Sequence, residues 1–192
     1  MKKNTILLTL CFLAINLFAQ NEKNNQIGTH FSLGVGGMGH YRAKGGDGPY
    51  KPNYYYTIGL DYSRQLSKRW DICSGLEYTY NNMKVEGRMA YLHLATIPVQ
   101  FKYHMGKVVY VNGGLLFNVL SKLKEETLAH SMFQTKNIRM LFGVGLGVGF
   151  EHEFKSGITL SLNPYVRWNG FGGELTYVLL QAGASLGVGY KF

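Results

Sequence analysis

The chain has 192 residues, enough for one domain, with 46% hydrophobic residues, only 16% charged residues and a formal charge of +9. A charged fraction so far below the ~25% usual for soluble domains argues against a soluble globular fold. No stretch reaches the ~18 apolar residues of a spanning helix either. The 25 glycines and 14 tyrosines against 4 prolines suit a sheet-rich chain whose strands pass close together.

The first predicted element is a secretory signal. Lys2 and Lys3 form a charged start, an apolar run extends from Ile6 to Phe18, and Leu17-Phe18-Ala19 offers a cleavage site that leaves Gln20 first. The expected organisation is a signal over 1–19, a short segment over 20–26 and one β-barrel over 27–192. Removing the signal takes two lysines from the charge of +9, leaving +7, and leaves Cys73 as the single cysteine of two. One cysteine excludes an intrachain disulfide framework. An exported basic chain points to outer-membrane lipid and anionic lipopolysaccharide as partners, not to nucleic acid.

Eight segments of period-2 alternation follow. The first is the weakest, with Phe31, Leu33 and Val35 against Ser32, Gly34 and Gly36. The second sets Tyr54, Tyr56, Ile58, Leu60 and Tyr62 against Tyr55, Thr57, Gly59, Asp61 and Ser63. The third sets Trp70, Ile72, Leu76, Tyr78 and Tyr80 against Asp71, Cys73, Glu77 and Thr79. The fourth carries Tyr91, His93, Ile97, Val99, Phe101 and Tyr103 against Thr96, Pro98, Gln100 and Lys102. In the fifth, Val111, Leu115 and Phe117 oppose Tyr110, Asn112 and Asn118, and in the sixth Phe142, Val144, Leu146 and Val148 oppose four glycines. The seventh sets Leu160, Leu162, Val166 and Trp168 against Ser161, Asn163, Tyr165 and Arg167; the eighth sets Leu186, Val188, Tyr190 and Phe192 against Ser185, Gly187, Gly189 and Lys191.

Segments of roughly 10–14 residues are long enough to cross a bilayer as tilted strands, and lipid requires that they close into a barrel with no free edge. The predicted fold is therefore all-β, an eight-stranded antiparallel up-and-down transmembrane barrel. An eight-stranded interior is just wide enough for ordinary side chains, so the bulky face must point to lipid and the glycine and small polar face inward. Aromatics cluster towards the segment ends, as interfacial girdles should. Tyr41, Tyr54, Tyr56, Tyr78, Tyr80, Tyr91 and Trp168 form one expected belt; Phe31, Tyr62, Trp70, Tyr103, Phe154, Tyr190 and Phe192 form the other. The connections alternate, long over 42–53, 82–90, 121–138 and 170–178, short over 67–69, 105–107 and 155–157. Long external loops and short periplasmic turns place both termini in the periplasm.

Two motifs carry a family resemblance. The run Ile97-Pro98-Val99-Gln100-Phe101-Lys102-Tyr103, followed by Val111-Asn112-Gly113-Gly114, is similar to a pattern of the PorT-type outer-membrane β-barrel family of Gram-negative bacteria. The stretch Leu186 to Phe192, with Tyr190 and the aromatic Phe192, looks like the assembly signal that outer-membrane barrels present to their assembly machinery. The resemblance implies the location and the fold. Some members of that family serve protein secretion, and no functional site is carried over from it.

Candidate chemistry is sparse. Gly34-x-Gly36-x-x-Gly39 matches a dinucleotide fingerprint but lacks the following helix that would hold phosphate; strand packing accounts for it better. Of the six histidines none has a second ligand at metal spacing, so no metal or cofactor is expected. His130-Ser131 is adjacent in sequence only, and catalytic pairs need spatial contact. The inward charges are more informative. Asp61, Glu77, Lys102, Glu151 and Arg167 include both signs, and buried charges must pair, so a charge network filling the lumen is expected, with Glu77 and Arg167 in it. The connections carry Arg42, Lys44, Lys51, Lys84, Arg88, Lys122, Lys124 and Lys136, a rim suited to lipopolysaccharide phosphates or a docking partner. The expected role is structural or binding, through external loops or another envelope protein such as a secretion complex. A lipid-A-modifying enzyme built around His93, and a small-solute channel, are the alternatives.

Overall fold

The structure is a computed structural model, and it describes residues 24–40, 50–85, 87–126, 133–137, 142–171 and 177–192. The expected signal over 1–19, Tyr41 and His130-Ser131 lie outside the described residues. The strands are β1 (Asn25–His40), β2 (Tyr50–Gln65), β3 (Trp70–Val85), β4 (Arg88–His104), β5 (Val109–Glu126), β6 (Phe133–Asn137), β7 (Phe142–Glu153), β8 (Ile158–Phe171) and β9 (Tyr177–Lys191).

Neighbours pair antiparallel in the order β4-β3-β2-β1-β9-β8-β7-β5, and a further β4–β5 pairing closes the ring. Eight strands therefore each have two partners, which is what lets polar backbone survive in lipid. The short β6 stands outside the ring and, among the described residues, pairs with the far end of β5, Lys122 to Asn137 through Glu126 to Phe133. The expected long connection over 121–138 is thus in part a hairpin: β5 runs on to Glu126 and β6 turns back along it. The expected long connection over 82–90 is likewise corrected, because β3 continues to Val85 and β4 starts at Arg88. Gly87, at a φ of 79°, supplies the left-handed backbone that so tight a reversal needs.

One end of the barrel carries the three short turns and both ends of the sheet. Leu66 N–H bonds Trp70 O at 2.8 Å, Met105 N–H bonds Val109 O at 3.0 Å and Phe154 N–H bonds Ile158 O at 2.8 Å, while Asn25 and Phe192 bond each other at 3.1 and 2.9 Å. This turn end and the opposite loop end differ in their walls. At the loop end β5 runs on from Phe117, where it meets the start of β7, to Glu126, so β3, β4 and β5 stand well beyond β7.

The faces follow the alternation. Leu33, Val35, Tyr54, Ile58, Leu60, Leu76, Phe101, Leu146, Val166, Leu186 and Val188 are all exposed on the outer wall, the belt that hydrocarbon covers. Tyr54, Tyr56, Tyr78 and Tyr80 lie on that wall towards the loop end, and Trp70, Tyr103 and Tyr190 towards the turn end. Trp70 packs on Tyr103 with ring centres 4.8 Å apart. Phe31 departs from its expected belt. It is paired with Ile58 and stacks on Tyr56 at 6.5 Å, because β1 already begins at Asn25, opposite Arg64 at the turn end, six residues before it.

Candidate functional site

The interior is built in two layers of different chemistry. At mid-height β3 and β8 face each other across the lumen and deliver Glu77 and Arg167. The guanidinium makes two hydrogen bonds to the carboxylate, Nη1 to Oε2 and Nη2 to Oε1, the latter at 2.9 Å. Paired planar groups of this kind are the strongest ion-pair geometry available. The Arg167 guanidinium also lies over the Tyr165 ring, 4.5 Å from its centre. His30, from β1, bridges two acids: Nδ1 is 2.6 Å from Asp61 Oδ2 and Nε2 is 3.5 Å from Glu77 Oε1. The result is a chain Asp61–His30–Glu77–Arg167 across the barrel. Beside it the Tyr55 and Tyr165 hydroxyls bond at 2.9 Å.

Lys102 and Glu151 form a separate buried pair at 3.0 Å. Lys102 Nζ lies 4.6 Å from the Tyr110 ring centre. The sequence placed glycines opposite that ring for a reason: a Cβ on Gly149 would meet the Tyr110 ring at 2.2 Å. Nearer the turn end His104 Nε2 sits 2.7 Å from Asp71 Oδ2, and Lys191 Nζ 2.7 Å from Glu153 Oε2. All five sequence-selected charges, Asp61, Glu77, Lys102, Glu151 and Arg167, line one internal cavity of about 110 Å³. That space holds a few water molecules at ~30 Å³ each. It falls well short of the ~300 Å³ at which small-molecule pockets begin.

His30 is the member that sequence reasoning missed. The available signal was its position: it alternates with Gly28 and Ser32 on the inward face of the first segment, the face of the acids.

Above the charges comes a band of amides and hydroxyls. Thr57 and Thr79 bond at 2.7 Å, Thr96 donates to Asn118 at 2.8 Å, Asn118 to Asn169 at 3.2 Å and Asn169 to Gln181 at 3.4 Å. Above that, the loop end is closed by an apolar cluster of Met38, Tyr50, Met83, Val85, Ala90, Leu92, Leu94, Leu123 and Leu179, each at most 2% exposed. This corrects the expectation that the inward face is glycine and small polar residues throughout. A displaced register beside Ala95 and Thr96 pairs them with Leu120 and Asn118. The residue inserted in β5 turns Leu123 inward and Lys122 and Lys124 outward.

Of the fingerprint glycines, Gly34 and Gly36 are strand packing positions, whereas a Cβ on Gly39 would meet nothing within 4 Å. A Cβ on Gly34 would strike Ala182 O at 2.2 Å and the Tyr55 ring at 2.8 Å. His93 bonds the Tyr78 hydroxyl at 2.6 Å on the outer wall. Ser121 is turned to the interior and Glu125 binds Tyr50, so neither faces His93. Among the described residues no cluster of three or more potential metal ligands occurs.

A closed antiparallel ring with an apolar outer wall and a polar interior defines an integral β-barrel of the bacterial outer membrane. The chain belongs to the family described as outer membrane protein beta-barrel domain, which matches residues 18–169. Solved structures agree on the fold at low identity. Neisserial surface protein A is 13% identical, with a TM-score of 0.54 over 86% of this chain and 97% of that one. The outer membrane protein OprG from Pseudomonas aeruginosa is 12% identical, with a TM-score of 0.51 over 88% and 96%. Ail, the attachment invasion locus protein of Yersinia pestis, in complex with the heparin analogue sucrose octasulfate, is 12% identical, with a TM-score of 0.50 over 88% and 99%. No curated protein matches the sequence.

Proposed function

We propose that this protein is a closed, non-conducting outer-membrane scaffold that acts through its loop end, by binding an envelope partner or an external ligand. The observation that carries the reading is the continuous filling of the lumen. Charged pairs at mid-height, an amide band above them and nine buried apolar side chains at the loop end leave a central cavity of about 110 Å³ and another of about 130 Å³ at the turn end. An ion crossing this interior would have to break buried ion pairs and then traverse an apolar plug, both of which cost several kcal/mol. The short turns and both termini face the periplasm in this reading, and the loop end faces outward, consistent with the loop asymmetry of outer-membrane barrels. The signal over 1–19 is removed on export, and Tyr190 and Phe192 present the chain to the barrel assembly machinery. The PorT-type resemblance adds a secretion complex as the partner class.

Planar-bilayer recording of the refolded barrel tests the closed state. No stable openings are expected, and a steady conductance from wild type overturns the reading. Isolation in mild detergent tests the scaffold role. One envelope protein is expected at near-equal stoichiometry, lost when residues 127–132 are replaced by Gly and Ser. A barrel whose co-purifying proteins are unchanged by that replacement removes the loop from the mechanism.

A further inference from the structure

The outer wall is not uniform around the loop end. On β7, β8, β9 and β1 the described outward positions there are apolar, Phe142, Trp168, Leu180 and Val35 among them. On β2 to β5 the register lines up a different surface. Tyr56 is paired with Tyr80, Tyr80 with His93 and His93 with Lys122, so one straight row crosses four strands on the lipid-facing side. One step further out Tyr91 is paired with Lys124.

The rings in this row touch. Tyr80 stacks on Tyr56 at 5.3 Å and on Tyr91 at 5.8 Å, and meets His93 edge-on at 5.4 Å. The Tyr78 hydroxyl fixes the His93 ring at 2.6 Å. Lysines stand beside the rings and beyond them. Lys122 and Lys124 stand exposed on β5, and Lys51 and Lys84 stand exposed and directly opposite each other across β2 and β3. Like charges directly opposite on one face repel and destabilise the pair, unless an anion lies between them. Counted towards the loop end along the outer wall, Lys122 and Lys124 stand three and five residues beyond Val119, Lys51 seven beyond Ile58 and Lys84 eight beyond Leu76. At ~3.4 Å per residue Lys122 and Lys124 stand at the height of the rings, where interfacial aromatics belong, and Lys51 and Lys84 stand further out, towards the headgroup surface.

We propose that this face of β2 to β5 is a binding site for one bis-phosphorylated glycolipid of the lipid A class, drawn from the surrounding leaflet. Lys122 and Lys124 take one phosphate, and Lys51 and Lys84 take the other. Across the sheet the two pairs are two to three strand spacings apart, about 10–14 Å, and along the strands Lys51 and Lys84, level with Met89, lie two residues beyond Lys124 and four beyond Lys122, ~7–14 Å. That span suits a headgroup whose phosphates sit at the two ends of a disaccharide; a single-phosphate lipid would engage one pair alone. The Tyr56, Tyr80 and Tyr91 rings, level with Lys122 and Lys124 and below Lys51 and Lys84, offer a flat surface for the sugar, and acyl chains run down the aliphatic wall beneath. The site belongs to the outer leaflet under the orientation proposed above.

The test is titration of lipid-stripped, detergent-solubilised protein with purified lipid A, read by native mass spectrometry. Detergent removes any dependence on insertion direction, partner or conductance, so this result stands apart from that of the scaffold reading. Wild type is expected to bind one bis-phosphorylated lipid A in preference to both monophosphorylated lipid A and phosphatidylglycerol. Losing two charge-assisted contacts to phosphate lowers affinity about tenfold or more, so K122Q/K124Q and K51Q/K84Q are each expected to show at least that loss. The turn-end control K68Q/K107Q is expected to bind as wild type does. All three variants change exposed side chains, and heat-modified gel migration confirms that they are folded. Unchanged binding by either loop-end variant, equal loss in the turn-end control, or phosphatidylglycerol binding as tightly as bis-phosphorylated lipid A to wild type overturns the proposal.

Discussion

The two halves of the lumen close the same barrel by opposite chemistry. At mid-height the filling is ionic: Glu77 and Arg167 are buried together, and each is tolerable only because the other is there. At the loop end it is apolar: Leu92 and Leu123 have no exposed surface, and each contributes on its own. The difference follows from position. Within the bilayer the outer wall must be greasy, and a strand alternating strictly between apolar and polar residues has only its polar set left for the inside. Beyond the bilayer that constraint lapses, and β3, β4 and β5 can turn leucine and methionine inward, as a water-exposed sheet does.

Substitutions separate the two regimes, beginning with the largest effect. Arg167→Ala leaves the buried Glu77 without its guanidinium, with only the more distant His30 ring at 3.5 Å, and is expected to destabilise the barrel by about 3–5 kcal/mol, measured by urea unfolding from lipid vesicles. The double variant Glu77→Leu with Arg167→Met should recover most of that loss, since replacing a whole buried pair by apolar groups is often close to neutral. A double variant as unstable as the single would mean that the pair contributes more than mutual neutralisation. Leu92→Ala should cost about 2–5 kcal/mol by opening a cavity, and no partner substitution at a charged site should recover it. A loss below about 1 kcal/mol, the typical value of a single point change, would show that the loop-end cluster collapses around the gap or is loosely packed.

Smaller changes sharpen the same contrast. Tyr55→Phe removes one hydroxyl from the bond with Tyr165 and should cost about 1 kcal/mol, seen in the same unfolding assay. Lys191→Ala breaks the half-exposed pair with Glu153 at the turn end. It should change stability by less than about 1 kcal/mol, and raised salt should abolish even that. If Lys191→Ala matched Arg167→Ala, burial would not be what ranks these ion pairs.

Much of the barrel was legible along the chain. The alternation from Tyr54 to Tyr62 told which residues meet lipid because the pleat repeats every two residues. The short turns near Ser67, Met105 and Lys155 were marked by breaks in that alternation, and the structure bends the chain at the same places. The reading failed where both faces are apolar. Leu92 and Leu94 alternate with Tyr91 and His93, so the loop-end part of β4, read as strand from Tyr91 on, offered no polar face to assign inward. His30 was overlooked because only metal-ligand spacing was sought, whereas its partners Asp61 and Glu77 come from other strands.

The sequence by itself therefore determined what is local: strand existence, the lipid face, the turns, and which charges point inward. The closed tertiary structure decided which inward charges meet. Glu77 and Arg167 are 90 positions apart and belong to strands that are not neighbours in the sheet, so their contact depends on the curvature and stagger of the whole ring. Pairing between strands likewise sets Phe31 opposite Ile58 and lines up Tyr56, Tyr80, His93 and Lys122 in one row. Period-2 patterning carries no information about register between strands; hydrogen bonding around the closed ring supplies it.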